Sequence, residues 1–410
     1  MNKILCFCLL MAATAFISCN NAQQKETTMS APTEYTKGSL GYDQAFLKKY
    51  DSNLVELKIG NASVLVSAKY QAKVFTSGAT GAAGPSFGWI NYKAFDAPVD
   101  AHMNAYGGEN RFWLGPEGGS YSVFFKPGTE MVFDYWKTPA AIDTEAWEIS
   151  NSSDTLVVLQ KNINLQNYQG TELNMQVVRA VSIATKAGVE STLGIQLSDS
   201  IQLVGYETIN RLTNTGTTAW TDKTGMPCIW ILDMFMPSPN TTIVIPFIPK
   251  KGNEKVVTTD YFGKIPSDRI RITDKTVFFK ADGKNRGKLG IQPNNALSVA
   301  GSYDAVANHL TITWFTVDNN AAYLNQEWNT TKPVFSGDAM NAYNDGPLEN
   351  GSQMGPFYEL ESVSPAANLA PGEMIEHRHN VYHFTGDKDA LNRIAQKVLG
   401  VSLEEISQAL

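Results

Sequence analysis

The stretch "DTLVVLQKNINLQNYQGTELNMQVVRAVSIAT", residues 154–185, decides the fold class. Val, Leu and Ile alternate with polar residues on both sides of the turn-forming "NYQGTE". Because successive side chains of a β-strand point to opposite faces, such alternation indicates strands that bury one face. The stretch therefore predicts two long strands joined by a turn. Preceding residues from Trp147 extend it into a meander, which ends at a turn in "KAG", residues 186–188.

Strand signals of this kind recur along most of the chain, bounded by turn residues. The first, "NLVELKIGNASVLVSA" at 53–68, predicts a hairpin around a Gly-Asn turn. Helical signals are few: "YDQAFLKKY" at 42–50, and a C-terminal segment with Asp387 as its N-cap and apolar residues at four-residue spacing. We therefore predict an all-β protein, a large two-sheet antiparallel β-sandwich with few short helices, including a C-terminal one.

The N-terminus has the pattern of a bacterial export signal. A basic start is followed by an apolar run and then by "FISC", in which Ser18 precedes Cys19. This resembles a lipobox, whose cysteine is lipidated; the alternative is an ordinary signal peptide with a chance cysteine. We predict a lipoprotein signal peptide at 1–19, a flexible tether at 20–40 and a single domain at 41–410. The protein would then be lipid-anchored in a bacterial cell envelope, in the periplasm or at the outer-membrane surface.

Composition narrows the classes of function. Charged residues make up 18% of the chain, the formal net charge is -7 and no basic run occurs, so nucleic acid is not an expected partner. Beyond the export signal only Cys228 remains, which excludes an internal disulfide and a cysteine zinc site. His377 and His379 share one strand face, but no third ligand lies at a fitting spacing. We predict no metal, no cofactor and a monomer.

Four longer stretches together resemble a known fold family. They are "YGGENRFWLGPEGG" at 106–119, "VGYETINRLTNTG" at 204–216, "CIWILDMFMPSPNTTIVIPF" at 228–247 and "YELESVSPAANLAPGEMIEHRHNVYHF" at 358–384. They resemble segments of the galactose mutarotase-like supersandwich, the fold of aldose 1-epimerases and their uncharacterised secreted relatives. The resemblance implies that fold and a carbohydrate or sugar-acid ligand, whereas activity varies among proteins that share the fold.

The resemblance also implies a catalytic base. In the epimerases the base is a glutamate on a late strand, and "LESVSP" at 360–365 matches its context, which makes Glu361 the candidate. Glu359 lies two residues earlier, on the same strand face, and is the fallback. The alternative is a pair of solvated acids at the rim. The epimerases' mid-chain His-x-x-Phe-Asn motif is absent, so His102, just before the glycine-rich stretch, is the best sequence-local choice for the acid.

A second group of candidates would bind the substrate. Arg111 offers a planar fork for hydroxyls or a carboxylate, Trp113 a stacking surface, and Glu109 and Glu117 hydrogen-bond acceptors. The alternative is a structural loop in which Arg111 pairs with Glu117 and Trp113 fills the core. The long loop predicted at 335–357 adds one tyrosine and one acid, which are Tyr343 and Asp345.

These candidates define two hypotheses. The first is an exported carbohydrate-active protein, an aldose epimerase-like isomerase that uses acid–base chemistry on a sugar or sugar acid. The second is a non-catalytic glycan-binding protein on the same fold. A polysaccharide lyase or hydrolase would need an acid and a base across an open cleft, and no residues single that out. Both hypotheses require the late glutamates and the early glycine–arginine stretch to converge.

Overall fold

Long antiparallel strands dominate the computed structural model, which describes residues 34–249 and 255–410. A three-stranded sheet has the order β1 (Val55–Ile59), β2 (Ala62–Ser67) and β3 (Lys73–Gly78). A six-stranded sheet has the order β11 (Val257–Thr258), β14 (Gly287–Ile291), β17 (Met340–Asn344), β18 (Tyr358–Val363), β9 (Cys228–Phe235) and β4 (Arg111–Gly115). A ten-stranded sheet has the order β12 (Ile270–Ile272), β13 (Thr276–Lys280), β10 (Thr241–Pro246), β15 (Val299–Asp304), β16 (His309–Phe315), β19 (Met374–Gly386), β8 (Ile201–Asn214), β7 (Glu172–Ile183), β6 (Leu156–Gln166) and β5 (Glu148–Ser152).

The two larger sheets share one hydrophobic core, which confirms the predicted antiparallel β-sandwich. Val177 and Val381 of the ten-stranded sheet belong to the same buried cluster as Ile229 and Leu360 of the six-stranded sheet. The alternating pattern that the sequence showed in β7 is matched by alternating burial along that strand. Each alternate side chain therefore loses its apolar surface to the core, at roughly 25 cal/mol per Å².

Buried polar groups also link the two sheets. His379 lies 2.7 Å from Asp233 Oδ2 through its Nε2 and 2.8 Å from Ser362 Oγ through its Nδ1. Ser362 Oγ also lies 2.8 Å from His377 Nε2, and the residues of this network are buried. The two histidines that the sequence placed on one strand face therefore serve inter-sheet contacts, in which buried polar groups satisfy one another.

Within the described part of the chain, four α-helices accompany the sheets: α1 (Leu40–Tyr50), α2 (Lys186–Leu193), α3 (Lys388–Val398) and α4 (Leu403–Ser407). The helices predicted at 42–50 and at the C-terminus are confirmed, and the Asp387 side chain accepts a hydrogen bond from the Ala390 amide at 2.9 Å. Short 3₁₀ segments span Tyr92–Phe95, Phe133–Tyr135, Ala140–Ile142 and Pro293–Asn295.

Two sequence predictions of local structure need correction. The "KAG" expected to form a turn begins α2, because Thr185 caps the helix by accepting from the Gly188 amide. The segment 335–357, expected to be a loop, contains β17, which pairs with both β14 and β18. Its strand signal is short and flanked by Gly, Asn and Asp, so turn residues masked it.

Residues Tyr35–Leu410 form one compact unit. The predicted signal peptide, Cys19 and most of the predicted tether lie outside the described residues, and the domain boundaries stay predictions. Within 34–249 and 255–410, no helix has the length and apolar character needed to cross a bilayer.

Candidate active site

The six-stranded sheet turns a charged face away from the core. In β18, Tyr358 and Ser362 point towards the ten-stranded sheet, where Tyr358 Oη lies 2.7 Å from Ser302 Oγ. Because side chains alternate along a strand, Glu359 and Glu361 project from the opposite face. The two acids that the sequence placed together thus share the outward face of this sheet.

Each of these carboxylates meets its own cation. Arg111 of β4 donates from Nη2 to Glu359 Oε1 at 2.5 Å, although the two residues lie 248 positions apart. Lys288 of β14 donates from Nζ to Glu361 Oε2 at 2.9 Å, and the same oxygen accepts from Trp230 Nε1 at 2.9 Å. Burial raises the pKa of Glu359, and the charge of Arg111 opposes that rise. Two neighbouring like charges are tolerated because each has an opposite charge within contact distance.

A cavity of about 620 Å³ opens above this charged face. A second cavity, of about 360 Å³, lies away from it, beside the C-terminal helices. The polar residues that line the larger cavity are Glu117, Arg286, Lys288, Gln326, Glu327, Asn329 and Asp345. Its aromatic and apolar lining consists of Phe133, Tyr261, Phe262, Trp328, Tyr343, Leu348 and Met354. The larger volume lies within the usual range of small-molecule sites.

Two loops pack closely to form one wall of the larger cavity. The Glu117 amide donates to Gln326 Oε1 at 2.6 Å, and the Gly118 amide donates to the Gln326 carbonyl at 3.1 Å. A Cβ at Gly118 would lie 2.1 Å from the Glu327 carbonyl oxygen, so only glycine allows this approach. The backbone contacts fix where Glu117 stands relative to the Trp328 loop.

Glu117 is the carboxylate of this wall whose pKa is shifted towards neutrality. Burial raises its pKa to about 7, and Lys288 and the Trp328 side chain oppose the rise. An acid with a pKa near neutrality exchanges protons readily at the pH of most cellular compartments.

The opposite wall of the cavity is built around Asp345. Its Oδ1 accepts from Tyr343 Oη at 2.8 Å, and its Oδ2 accepts from the Gly355 amide at 3.1 Å. Burial raises the pKa of Asp345. Arg286 stacks its guanidinium carbon 3.7 Å from the Phe262 ring centroid and donates from Nε to Tyr343 Oη at 3.3 Å.

Apolar side chains surround the mouth of the cavity and stay accessible. Phe133 is 58% exposed and Phe262 46%, with Leu348 and Met354 at 44% and 43%. Exposed aromatic rings beside a polar floor are typical of ligand sites rather than of ordinary surface, where large apolar side chains occur singly.

The structure brings together part of the predicted site. Glu117, Tyr343 and Asp345 line the cavity, as expected of ligand-contacting residues. The predicted convergence of Arg111 with the late glutamates is observed as the Arg111–Glu359 contact. Arg111, Glu359 and Glu361 do not line the cavity. Glu361 is only 1% exposed and contacts Lys288, which does line it. The alternative pairing of Arg111 with Glu117 is not observed, and the two glutamates are not solvated rim acids.

Three predicted residues lie elsewhere, and their assignments are corrected. Glu109 is fully buried and accepts from Ser77 Oγ at 2.7 Å, so it does not reach a ligand in the cavity. Trp113 is also buried and packs edge-on against Trp230, as the core alternative held. His102 donates from Nδ1 to the Trp136 carbonyl at 2.6 Å and does not line the cavity.

The sequence analysis did not identify Lys288, Arg286 and Trp328 as site residues. Lys288 lies in the strand "GKLGI", whose two glycines hid the strand signal, although a lone lysine between apolar residues marks a charge on one strand face. Trp328 belongs to a loop without periodicity. Among the residues described, no group of three His, Cys, Asp or Glu could hold a metal ion.

The family model of a family of unknown function, DUF6786, matches residues 38–410. The chain therefore belongs to that family. No curated protein matches it in sequence.

Solved structures that are similar to the chain include a galactose mutarotase-like protein and a protein described as a putative aldose 1-epimerase. A galactose mutarotase-like protein from Lactobacillus casei has 10% identity and a TM-score of 0.46, covering 81% of this chain and 100% of that one. A "putative aldose 1-epimerase" from Escherichia coli K12 has 12% identity and a TM-score of 0.47, covering 81% and 98%.

Proposed function

We propose that this DUF6786 member binds a carbohydrate in the 620 Å³ cavity and acts on it as an aldose epimerase-like isomerase. The observation that carries the proposal is the pairing of a charged floor with an accessible aromatic mouth. A pyranose has apolar C–H faces and a hydroxyl edge, so it requires both kinds of surface at once. Phe133 and Phe262 supply the first, and Lys288, Glu117 and Gln326 supply the second.

The charges of the lining favour a neutral sugar over a sugar acid. Three carboxylates, those of Glu117, Glu327 and Asp345, line the cavity with two cations, Arg286 and Lys288. Lys288 contacts Glu361 and Glu327 contacts Lys332, so these two charges are offset. The two acids Glu117 and Asp345 then remain beside Arg286. A ligand carboxylate would meet this acidic lining and be disfavoured by it, whereas hydroxyl groups can both donate and accept.

Sugar binding is tested by isothermal titration with D-glucose, D-galactose, D-xylose and D-glucuronate. We expect at least one neutral sugar to bind more tightly than the uronate. Phe262→Ala should weaken binding by about tenfold, since an aromatic contact contributes roughly 0.5–1.5 kcal/mol. Phe335→Ala is the matched control, because Phe335 is 44% exposed against 46% for Phe262 but does not line the cavity. Wild-type protein that binds none of the four sugars would contradict the proposal.

The non-catalytic alternative makes a different prediction. Polarimetry of freshly dissolved sugar separates the two hypotheses, because a binding protein leaves the rate of mutarotation at its uncatalysed value. The isomerase is supported by the place of Glu117, whose pKa burial raises to about 7, beside Lys288 in the cavity lining.

We also propose that the protein is an exported monomer, lipid-anchored through Cys19 in the cell envelope. The support is the "FISC" stretch after an apolar run. Metabolic labelling with a palmitate analogue should mark the wild-type protein but not Cys19→Ser. Equal labelling of the two would exclude a lipid at this residue.

A further inference from the structure

The protein holds a carboxylate that can exchange a proton with a ligand, and it is not the glutamate that the family resemblance indicates. A general base must come within about 2.6–3.2 Å of the proton that it takes. The side chain of Glu361 is 0% exposed, and its Oε2 already accepts from Lys288 and Trp230. Glu361 does not line the cavity, whereas Lys288, which contacts it, does.

Glu117 has the access that Glu361 lacks. It lines the cavity, together with Lys288, and is partly exposed. Its main chain is fixed by the 2.6 Å hydrogen bond from its amide to Gln326 Oε1. The close packing of Gly118 against the Glu327 carbonyl then restricts the loop that carries it.

We propose that Glu117 and Lys288 are the catalytic acid–base pair of the site and that Glu361 is a positioning residue that acts through Lys288. This inference rests on the proposed function. Glu361 contacts the Lys288 Nζ at 2.9 Å and so fixes its position at the cavity floor. The Trp230 indole orients Glu361 in turn, since it donates to the same oxygen.

The proton and electron balance of the reaction uses only these two groups. Glu117 takes the proton from the anomeric hydroxyl, a C1=O1 double bond forms, and the C1–O5 bond breaks with its electron pair moving to O5. O5 takes a proton from Lys288. After rotation about the C1–C2 bond, O5 attacks the other face of C1 and returns its proton to Lys288, while O1 regains the proton from Glu117.

Several charged groups set the titration of Glu117. Lys288 and Arg286 lower its pKa, Glu361 raises it, and burial, the largest effect, brings it to about 7. The base is active when deprotonated, so the rate should rise as the pH increases through about 7. Replacing Glu361 by glutamine removes a negative charge that raises this pKa, so the inflection should move to lower pH.

The test is polarimetry of freshly dissolved α-D-glucose and α-D-galactose, with binding measured in parallel by isothermal titration. Glu117→Gln should lower kcat by at least about 100-fold while Kd changes less than about threefold. Glu117→Asp should retain part of the rate. Glu148→Gln is the control, because Glu148 is exposed on β5 and does not line the cavity, and it should change kcat less than about threefold.

The pH profile separates catalysis from a structural effect. Glu117→Gln should lose the inflection near pH 7, and Glu361→Gln should keep it at a lower pH. If Glu117→Gln folds poorly, the wild-type inflection and the Glu117→Asp rate decide the matter. Wild-type turnover by Glu117→Gln overturns the inference, as does wild-type protein that binds these sugars without accelerating mutarotation. Absence of binding to all four sugars of the binding test overturns the proposed function itself.

Discussion

Removing the cation above Glu361 should destabilise the protein strongly. Lys288→Met keeps the length of the side chain but leaves the Glu361 carboxylate without its counter-charge. The exposed side-chain fractions of the pair are 9% and 0%, so the carboxylate that remains is buried. An uncompensated buried charge is among the few single changes that produce large losses of stability.

The magnitude follows from the geometry of the pair. At the observed 2.9 Å and an effective dielectric constant of about 20, the attraction is about 6 kcal/mol before desolvation is subtracted. Breaking a buried pair by removing one partner costs roughly 3–5 kcal/mol. Glu361→Gln should cost less, about 1–3 kcal/mol, because Lys288 borders the cavity and a glutamine oxygen can still accept from Trp230.

The double variant Lys288→Met/Glu361→Leu should recover most of the loss, because buried ion pairs and apolar replacements are often close in stability. Urea unfolding followed by tryptophan fluorescence gives the four free energies of the mutant cycle, those of the wild type, Lys288→Met, Glu361→Leu and the double variant. The control is Lys186→Met, since Lys186 contacts Asp199 at 2.7 Å but is exposed, and it should leave the midpoint unchanged. Additive losses at Lys288 and Glu361 would refute the reasoning.

Three further perturbations test other parts of the structure. Burial lowers the pKa of His377 to about 3, below the unfolded value near 6.5, so the free energy of unfolding should fall by up to about 5 kcal/mol as the pH drops from 6.5 towards 3. In urea unfolding measured across this pH range, His377→Asn should flatten the fall. Parallel curves for wild type and variant would contradict the prediction. Asp387→Ala removes the cap of α3 and should cost about 1 kcal/mol in urea unfolding, whereas no change would show that the cap is dispensable. Gly118→Ala would force the loop away from the Glu327 carbonyl and should weaken sugar binding by at least about tenfold in isothermal titration, so unchanged affinity would show that the wall tolerates the shift.

How much the sequence could predict depended on the range of each interaction. The strands of the meander and the Asp387 cap follow from local alternation and local capping, so their positions were predictable. The meeting of Arg111 with Glu359 joins residues 248 positions apart, and only the family resemblance, not any periodicity, pointed to it. Glu109 was assigned to the wrong surroundings because its closeness to Arg111 in sequence says nothing about which face of the fold each side chain reaches.

The cavity itself lay beyond sequence reasoning, since its walls are loops without a period. Trp328 and Gln326 meet Glu117 only because the two loops pack together in the folded chain. Lys288 was hidden for another reason: its strand has two glycines in five residues, which weaken any β propensity. The residues that line the cavity are thus the ones whose secondary-structure signal in the sequence is weakest.

Two buried pairs of ionisable side chains have different surroundings in this molecule. Between the sheets, the His379–Asp233 contact lies among neighbours that shield it on every side, at 0% side-chain exposure for both partners. On the outward face, Lys288 contacts an equally buried carboxylate but also borders an open cavity. A buried ion pair adds little net stability compared with apolar packing. A contribution to stability therefore does not explain why the sheet places the Lys288–Glu361 pair beneath a cavity. Under the proposed function, Glu361 would hold Lys288 in place and aim it at a bound ligand, which accounts for an ion pair in this position.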